Sequence, residues 1–543
     1  MDLLALRLLL LGLSRVATPI GLAALGLLAV LLHRLYFIQG EHHMKASIYF
    51  LSWILISALI YGVRFVAELQ VQDTGSGTFP FGPLMTTTLL NCAFFVPLFT
   101  SMTIYRIFEH PLRHFPGPPI SAISKLWHFF SILSRQNHLL LDDLRKKYGP
   151  FVRTGPQELT ICHPDVFQAI SGHGTSCIKA PLYELMHPFV SINTIRTKQG
   201  YAPRRKRWDE ALGLSTPYIP DKPERVYYSV SLLLQQMKLW ANSPVNVTVW
   251  FHHFAWDVMM NIGFGHTADL TKNLRPDSKL EGITSLIMQG VGMLQFLMPA
   301  PWIGRLAIEA APYVPFIAQQ WNRSIQWAAN VCDGRLDQVQ DSNSPADVFS
   351  RLTGGSNGNK EDGPLNRWAL YGDAYAILIA GSHTTATTLT MLTYELARRP
   401  ELQAEARNEV LKAGIHNLSS GSAAASETVR TTPWNKLPFL DGCINETMRL
   451  YPALPTGGAR QTVDKVVTIG GRCIPPGTTI VAPRWSIGRL ETAFDNPHEF
   501  VPERWTTKRH MVKCPQAFSP FADGMSGACR MIEQGLRFLL PVF

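Results

Sequence analysis

A mainly helical fold with small β-sheets, preceded by N-terminal transmembrane helices, is predicted for this chain from three observations. Three apolar segments crowd the first 105 residues, helical hydrophobic periods dominate the remainder, and extended runs are few and short. The 543 residues suffice for a large core, and length alone would allow several domains. Hydrophobic residues make up 46% and charged residues 17%, a lean charge content that points towards membrane contact. The formal charge of +10 is spread along the chain, and its densest cluster is "RRKRW", Arg204 to Trp208. Such a cluster reads first as a solvated face and next as a contact for anionic lipid. No nucleic-acid motif accompanies it. The eight cysteines (Cys92, Cys162, Cys177, Cys332, Cys443, Cys473, Cys514 and Cys529) lack C-x-x-C spacing, which argues against a disulfide framework or a zinc site and for a reducing compartment.

The apolar segments span Thr18–Leu32, Ala46–Val66 and Pro83–Tyr105, the last two near the ~20 residues that cross a bilayer. Arg34 and Lys45 lie in the first link, Glu68 and Asp73 in the second, and Arg106 and Arg113 follow the third. The positive-inside rule then places the first link and everything after Tyr105 in the cytoplasm, although Arg7 and Arg15 argue the other way. With the opposite orientation the sequons at Asn246, Asn322, Asn417 and Asn445 become glycosylation candidates. "HFPGPPI", His114 to Ile120, is a stiff hinge because its prolines fix φ and block a helix. Helical periods follow in "NHLLLDDLRKKYG", "WALYGDAYAILIAGSHTTATTLTMLTYELARR" and "ELQAEARNEVLKAG". The extended pieces are "FVRTGPQELTIC" and "VVTIGGRCIPPGTTIVAP"; "GGSNGNKEDG" and "SSGSAAASE" read as mobile surface loops. A membrane anchor over residues 1–110 and one large domain over 111–543 fit this pattern.

In "LDGCINETMRLYPALP", Glu446 and Arg449 share one helical face three residues apart. An exposed salt bridge is the ordinary reading, but apolar neighbours predict burial, and a buried pair invites a third charged partner. Pro502, Glu503, Arg504 and Trp505 supply one. E-x-x-R, then P-E-R-W, then a cysteine in the glycine-rich turn "SPFADGMSGACRM" resembles the C-terminal half of the cytochrome P450 family, the haem-thiolate monooxygenases. The resemblance implies a structural triad of Glu446, Arg449 and Arg504 behind the haem.

Upstream, "LIAGSHTTATTL" resembles the family's A-G-x-D/E-T-T distal helix, at Ala380, Gly381, Thr384 and Thr385. Gly381 would let the helix open beside the iron, and the Thr384 hydroxyl would donate to bound dioxygen. His383 stands where the family has a carboxylate and can shuttle protons, so the relay is altered. Without the other motifs, this is a helix whose threonines bond back to its own backbone. "YAPRRKRWDEALG" resembles the helix that meets the haem propionates: Tyr201 replaces the usual aromatic or histidine, and Arg205 follows one turn later. Trp208 and Arg204 are further contributors by the same resemblance, with a solvated basic face as the rival for Arg204, Lys206 and Arg207. Arg460 in "GGARQT" sits where the family often offers another propionate contact.

The resemblance makes Cys529 the proximal thiolate ligand of haem b. Of the pattern F-x-x-G-x-R-x-C-x-G, Phe521 and Gly524 match; Ser526 replaces the arginine, Ala528 takes the cysteine position, and Met531 replaces the last glycine. Only "RMIEQGLRFLLPVF" follows, where the family carries a long helix and a terminal sheet. A misread gene end, a truncated inactive product and a divergent working site all fit this, and Cys514 reads as an ordinary thiol.

The resemblance implies a fungal, endoplasmic-reticulum-anchored monooxygenase with its catalytic domain in the cytosol. It would use O2 and electrons from NADPH through a cytochrome P450 reductase to oxidise a lipophilic small molecule of secondary metabolism. A haem-free or inactive membrane protein on the same scaffold is the alternative. A haem enzyme that dehydrates or isomerises is a third reading, because His383 disturbs oxygen activation.

Overall fold

The computed structural model describes residues 16–74, 81–134, 136–172, 174–212, 222–297, 299–339, 347–353, 367–413 and 437–521. Gly524, Cys529, Asn417 and both low-complexity stretches lie outside them. The chain forms two compact units: Met1–Phe130 with Arg153–Pro156 and Leu297–Pro312, and Ser131–Val152 with Gln157–Phe296 and Tyr313–Phe543.

The first unit is built on α1 (Pro19–Leu32), α2 (Ala46–Thr74) and α3 (Pro83–Ile104). Proline opens α1 and α3, where its missing N–H costs no hydrogen bond. Further helical turns carry the apolar stretches over Pro19–Phe37, His43–Leu69 and Pro83–Glu109, each long and apolar enough to cross a membrane. The first is therefore longer than its sequence pattern indicates. Ile20, Leu55 and Leu84 turn outward, as lipid contact requires. Gly26 lets α1 approach α3: a Cβ there would stand 3.1 Å from Pro97 Cγ. Arg34 donates to Glu109 Oε1 at 2.8 Å, which puts the ends of the first and third stretches on one side. In the hinge, Arg153 N–H donates to Pro116 O at 2.7 Å and fixes the proline run.

The second unit holds α4 (Asn137–Tyr148), α5 (Lys198–Ala211), α6 (Lys222–Leu239), α7 (Val247–Phe264), α8 (Gly282–Leu297), α9 (Pro315–Val339), α10 (Arg367–Ala397), α11 (Pro400–Lys412) and α12 (Pro438–Leu450). The described strands are β1 (Phe151–Gly155), most of which belongs to the first unit, and, in the second, β2 (Glu158–Ile161), β3 (Ile178–Lys179), β4 (Arg460–Gln461), β5 (Val467–Ile469), β6 (Arg472–Ile474) and β7 (Thr479–Val481). Within the second unit β2, β7, β4 and β3 follow one another in a sheet, while β5 and β6 make a hairpin. The hairpin turns at Gly470 and Gly471, with φ of 53° and 74°, a conformation open to glycine at little cost.

The core is centred on the crossing of α7 and α10. Trp250, Phe251 and Phe254 of α7 are fully buried. Two glycines bring the axes together. A Cβ on Gly263 would lie 2.6 Å from Ile377 Cγ2, and one on Gly381 would overlap the Met259 thioether. Near its start, α10 presses Gly372 onto backbone, where a Cβ would meet Val190 O at 2.5 Å and Val190 C at 2.7 Å. Backbone yields less than a side chain. Gly372→Ala is expected to destabilise this unit by about 1–3 kcal/mol through overpacking, read as a lower thermal midpoint.

Candidate active site

Glu446, Arg449 and Arg504 are all buried, with Glu446 at their centre. Arg449 donates Nε to Glu446 Oε2 at 2.9 Å and Nη2 to Oε1 at 2.7 Å. Arg504 Nε reaches Oε1 at 2.9 Å. Two donors not anticipated from sequence complete the carboxylate: Trp505 Nε1 at 3.0 Å and the Val501 N–H at 3.0 Å. The remaining guanidinium N–H groups go to carbonyls of Gly488, Pro497, Glu499, Asp495 and Asn496. Such dense pairing is what a buried charge needs.

A second constellation gathers cations. The antiparallel pairing of β3 with β4 sets Lys179 opposite Arg460. Like charges facing each other across a ladder destabilise it. Lys179 Nζ also lies 4.7 Å from the Tyr201 ring centroid and donates to Ile192 O. Burial, then the charges of Arg460 and Arg205, lower the Lys179 ammonium to about 7. Arg205 donates to both Asp209 oxygens at 2.8 and 2.9 Å and to Tyr201 OH at 3.4 Å. The Arg460 guanidinium stands 6.0 Å over the Tyr183 ring.

Arg204 and Trp208 face elsewhere. Arg204 donates to the Asp373 carboxylate and to Ala369 O, and Trp208 Nε1 approaches Asp373 Oδ1 at 3.4 Å. Arg204 therefore anchors α5 to α10 and is no part of a solvated face, unlike exposed Lys206. Burial raises Asp373 to about 6 despite the Arg204 charge.

On α10, Thr384 Oγ1 donates to Ala380 O at 2.6 Å and Ser382 Oγ to Leu378 O at 2.5 Å. The helix runs unbroken past Gly381, whose open side is filled by Met259, so the expected local opening is absent here and the glycine serves the helix crossing. Burial lowers the His383 pKa from its ordinary value, so the ring is neutral at neutral pH. Phe521 is half-buried against the main core, and Cys514 is a free thiol whose Sγ lies 3.5 Å from Thr492 O.

A family model for cytochrome P450 matches residues 116–526. The chain belongs to the cytochrome P450 family. It is 31% identical to the cytochrome P450 monooxygenase notG' of Aspergillus versicolor, over 92% of this chain and 86% of that protein. Tryprostatin B 6-hydroxylase of Neosartorya fischeri is also 31% identical, with 93% of this chain and 87% of that protein covered. Cytochrome P450 monooxygenase orf5 of Eupenicillium brefeldianum is 34% identical, over 80% and 83%. A retinoic-acid-bound cyanobacterial P450 structure shares the fold, with a TM-score of 0.54, 16% identity, and coverage of 73% of this chain and 84% of that one. As a P450, the protein is a haem-dependent monooxygenase that oxidises a small molecule with O2 and a redox partner.

The described residues fit the anionic side of a haem. Strand register sets the Lys179 ammonium opposite the Arg460 guanidinium, with Arg205 adding to the positive field, a donor set that would suit the two propionates. Lys179 was not identified from sequence, because a lone lysine in "CIKAP" has no informative spacing; strand register reveals it.

Proposed function

We propose that this P450 is a membrane-anchored monooxygenase of a fungal secondary-metabolite pathway, hydroxylating or otherwise oxidising a lipophilic small molecule. Residues 1–110 serve as the anchor and 111–543 as the catalytic domain, held on the cytosolic face of the endoplasmic reticulum. NADPH–cytochrome P450 reductase supplies the electrons. The names of the relatives, a tryprostatin B hydroxylase among them, support the substrate class. Three apolar stretches and the Arg34, Lys45 and Arg113 charges support the anchor and its orientation.

Haem, when bound, supplies dioxygen activation and insertion of one oxygen atom into the substrate. Lys179, Arg205 and Arg460 would hold its carboxylates, and Cys529 would provide the thiolate. Phe521 and Gly524 are the matching positions of the family's haem-ligand pattern. Thr384 and His383 hold protons on α10: the neutral imidazole accepts one from water and releases it towards the threonine hydroxyl. Glu446, Arg449 and Arg504 keep the second unit's C-terminal segments in place.

The opposition of Lys179 and Arg460 across β3 and β4, with Arg205 acting on the same ammonium, is the observation that supports this reading. The reduced, purified protein is expected to give the thiolate-type carbon monoxide difference band, and Cys529→Ala to abolish it. A protein that takes up no haem would overturn the proposal. Wild-type pigment surviving in Cys529→Ala would reassign the ligand.

A further inference from the structure

Two imidazoles from different helices meet beside the proton-handling stretch of α10. His252 of α7 lies over His383, with ring centroids 5.2 Å apart and planes inclined by 19°. Both line a cleft of about 10 Å³, roughly the room one water needs. Trp256, Ile287 and Ile379 make its walls apolar, and Thr284 and Ser382 add hydroxyls. Nδ1 of His383 is enclosed and has no hydrogen-bond partner. Aromatic packing does not require this pair, since phenylalanine stacks as well as histidine. Two imidazoles add something phenylalanine lacks, the capacity to take up and release a proton on either ring.

The geometry points to a two-imidazole proton relay that enters α10 from the α7 side, with His252 as the outer, positioning residue acting through His383. The relay rests on the monooxygenase reading above. It moves one proton and no electrons. An imidazole accepts at one nitrogen from water, becomes imidazolium, and releases the proton at its other nitrogen, returning to the neutral form. A carboxylate in place of His383 would need no such partner.

The surroundings keep any imidazolium short-lived. His253 follows His252 on α7, with Asp257 and Glu281 acting on it. Leu280, Thr284, Ile287 and Met288 line the cleft from α8 and the residues before it, and bring no charge. Burial, then His383 and His253, push His252 down to about 4. Both rings are therefore neutral at cytosolic pH and return a proton readily.

The test uses the full-length, haem-loaded protein in lipid nanodiscs with its reductase and a turnover substrate. His252→Phe keeps a ring in the stack. It is expected to lower product formed per NADPH consumed about tenfold, below the ~100-fold of a direct proton donor, and to enlarge the solvent deuterium isotope effect. The carbon monoxide band and the substrate-binding spectrum stay as in wild type. His383→Asp, which restores the family's carboxylate, is expected to make the His252→Phe change harmless. A readout independent of turnover is the 15N-histidine NMR titration of the ferrous carbon monoxide form, in which His383→Leu raises the His252 midpoint. Should His252→Phe lose the band through misfolding, His252→Asn supplies the same comparison. Unchanged coupling and isotope effect in a variant with an intact band would overturn the relay and leave the monooxygenase reading standing. Absence of the band in wild type would remove both.

Discussion

Glu446→Gln is expected to cost the second unit about 3–5 kcal/mol of stability. The carboxylate holds two buried guanidinium groups, an indole N–H and a backbone N–H. A neutral amide cannot balance the two arginines, and breaking a buried ion pair from one side costs about 3–5 kcal/mol. Whole domains are stable by only about 5–15 kcal/mol, so this loss takes up much of the margin. Limited proteolysis and thermal unfolding in detergent should show faster cleavage and a lowered midpoint. Arg504→Met should be milder, because Arg449 keeps two bonds to Glu446. A Glu446→Gln protein as resistant as wild type would show that the carboxylate is dispensable.

Lys179→Met is expected to move stability and haem retention in opposite directions. Lys179 titrates at about 7 in the folded protein and at its ordinary value of 10.5 in the unfolded chain. Between these pH values the unfolded chain binds more protons, so the stability of the haem-free protein rises with pH across that window. Below pH 7 the buried ammonium exerts its full destabilising effect. Methionine removes that effect, so the haem-free variant should melt higher than wild type at pH 6 and show a flatter pH profile. With haem bound the sign reverses. A lost charge-assisted hydrogen bond to a propionate costs about 2 kcal/mol, or about 30-fold in affinity. Haem transfer to an acceptor apoprotein reads this directly. A lysine with a purely structural role would lower stability in both forms.

The contrast between these two sites shows what the sequence made legible. Glu446 and Arg449 stand one helical turn apart among apolar residues, so their pairing and burial follow from local spacing, and the ordered P-E-R-W stretch points to Arg504. Trp505 was visible in the same stretch, but nothing local marks its indole as a donor to Glu446. Lys179 and Arg460 are far apart in the chain and become neighbours through a two-residue strand, too short for any periodic signal. His252 was hidden for another reason. "WFHHFAW" reads as one apolar helix, and its polar ring acquires meaning when α10 crosses it. Arg204 was open to misreading because a basic run usually faces water, whereas Asp373, its partner, lies on a different helix. Gly381 invited an explanation from oxygen chemistry, and what fills its open side is Met259.

The separation of Glu446 from Arg504 also orders events during synthesis. At ~5–20 residues per second, a separation of 58 positions takes about 3–12 s to synthesise. Throughout that interval Glu446 and Arg449 lack their third partner, and burying the incomplete set is unfavourable. Arrival of the second arginine is the latch, and translation itself sets when the domain closes.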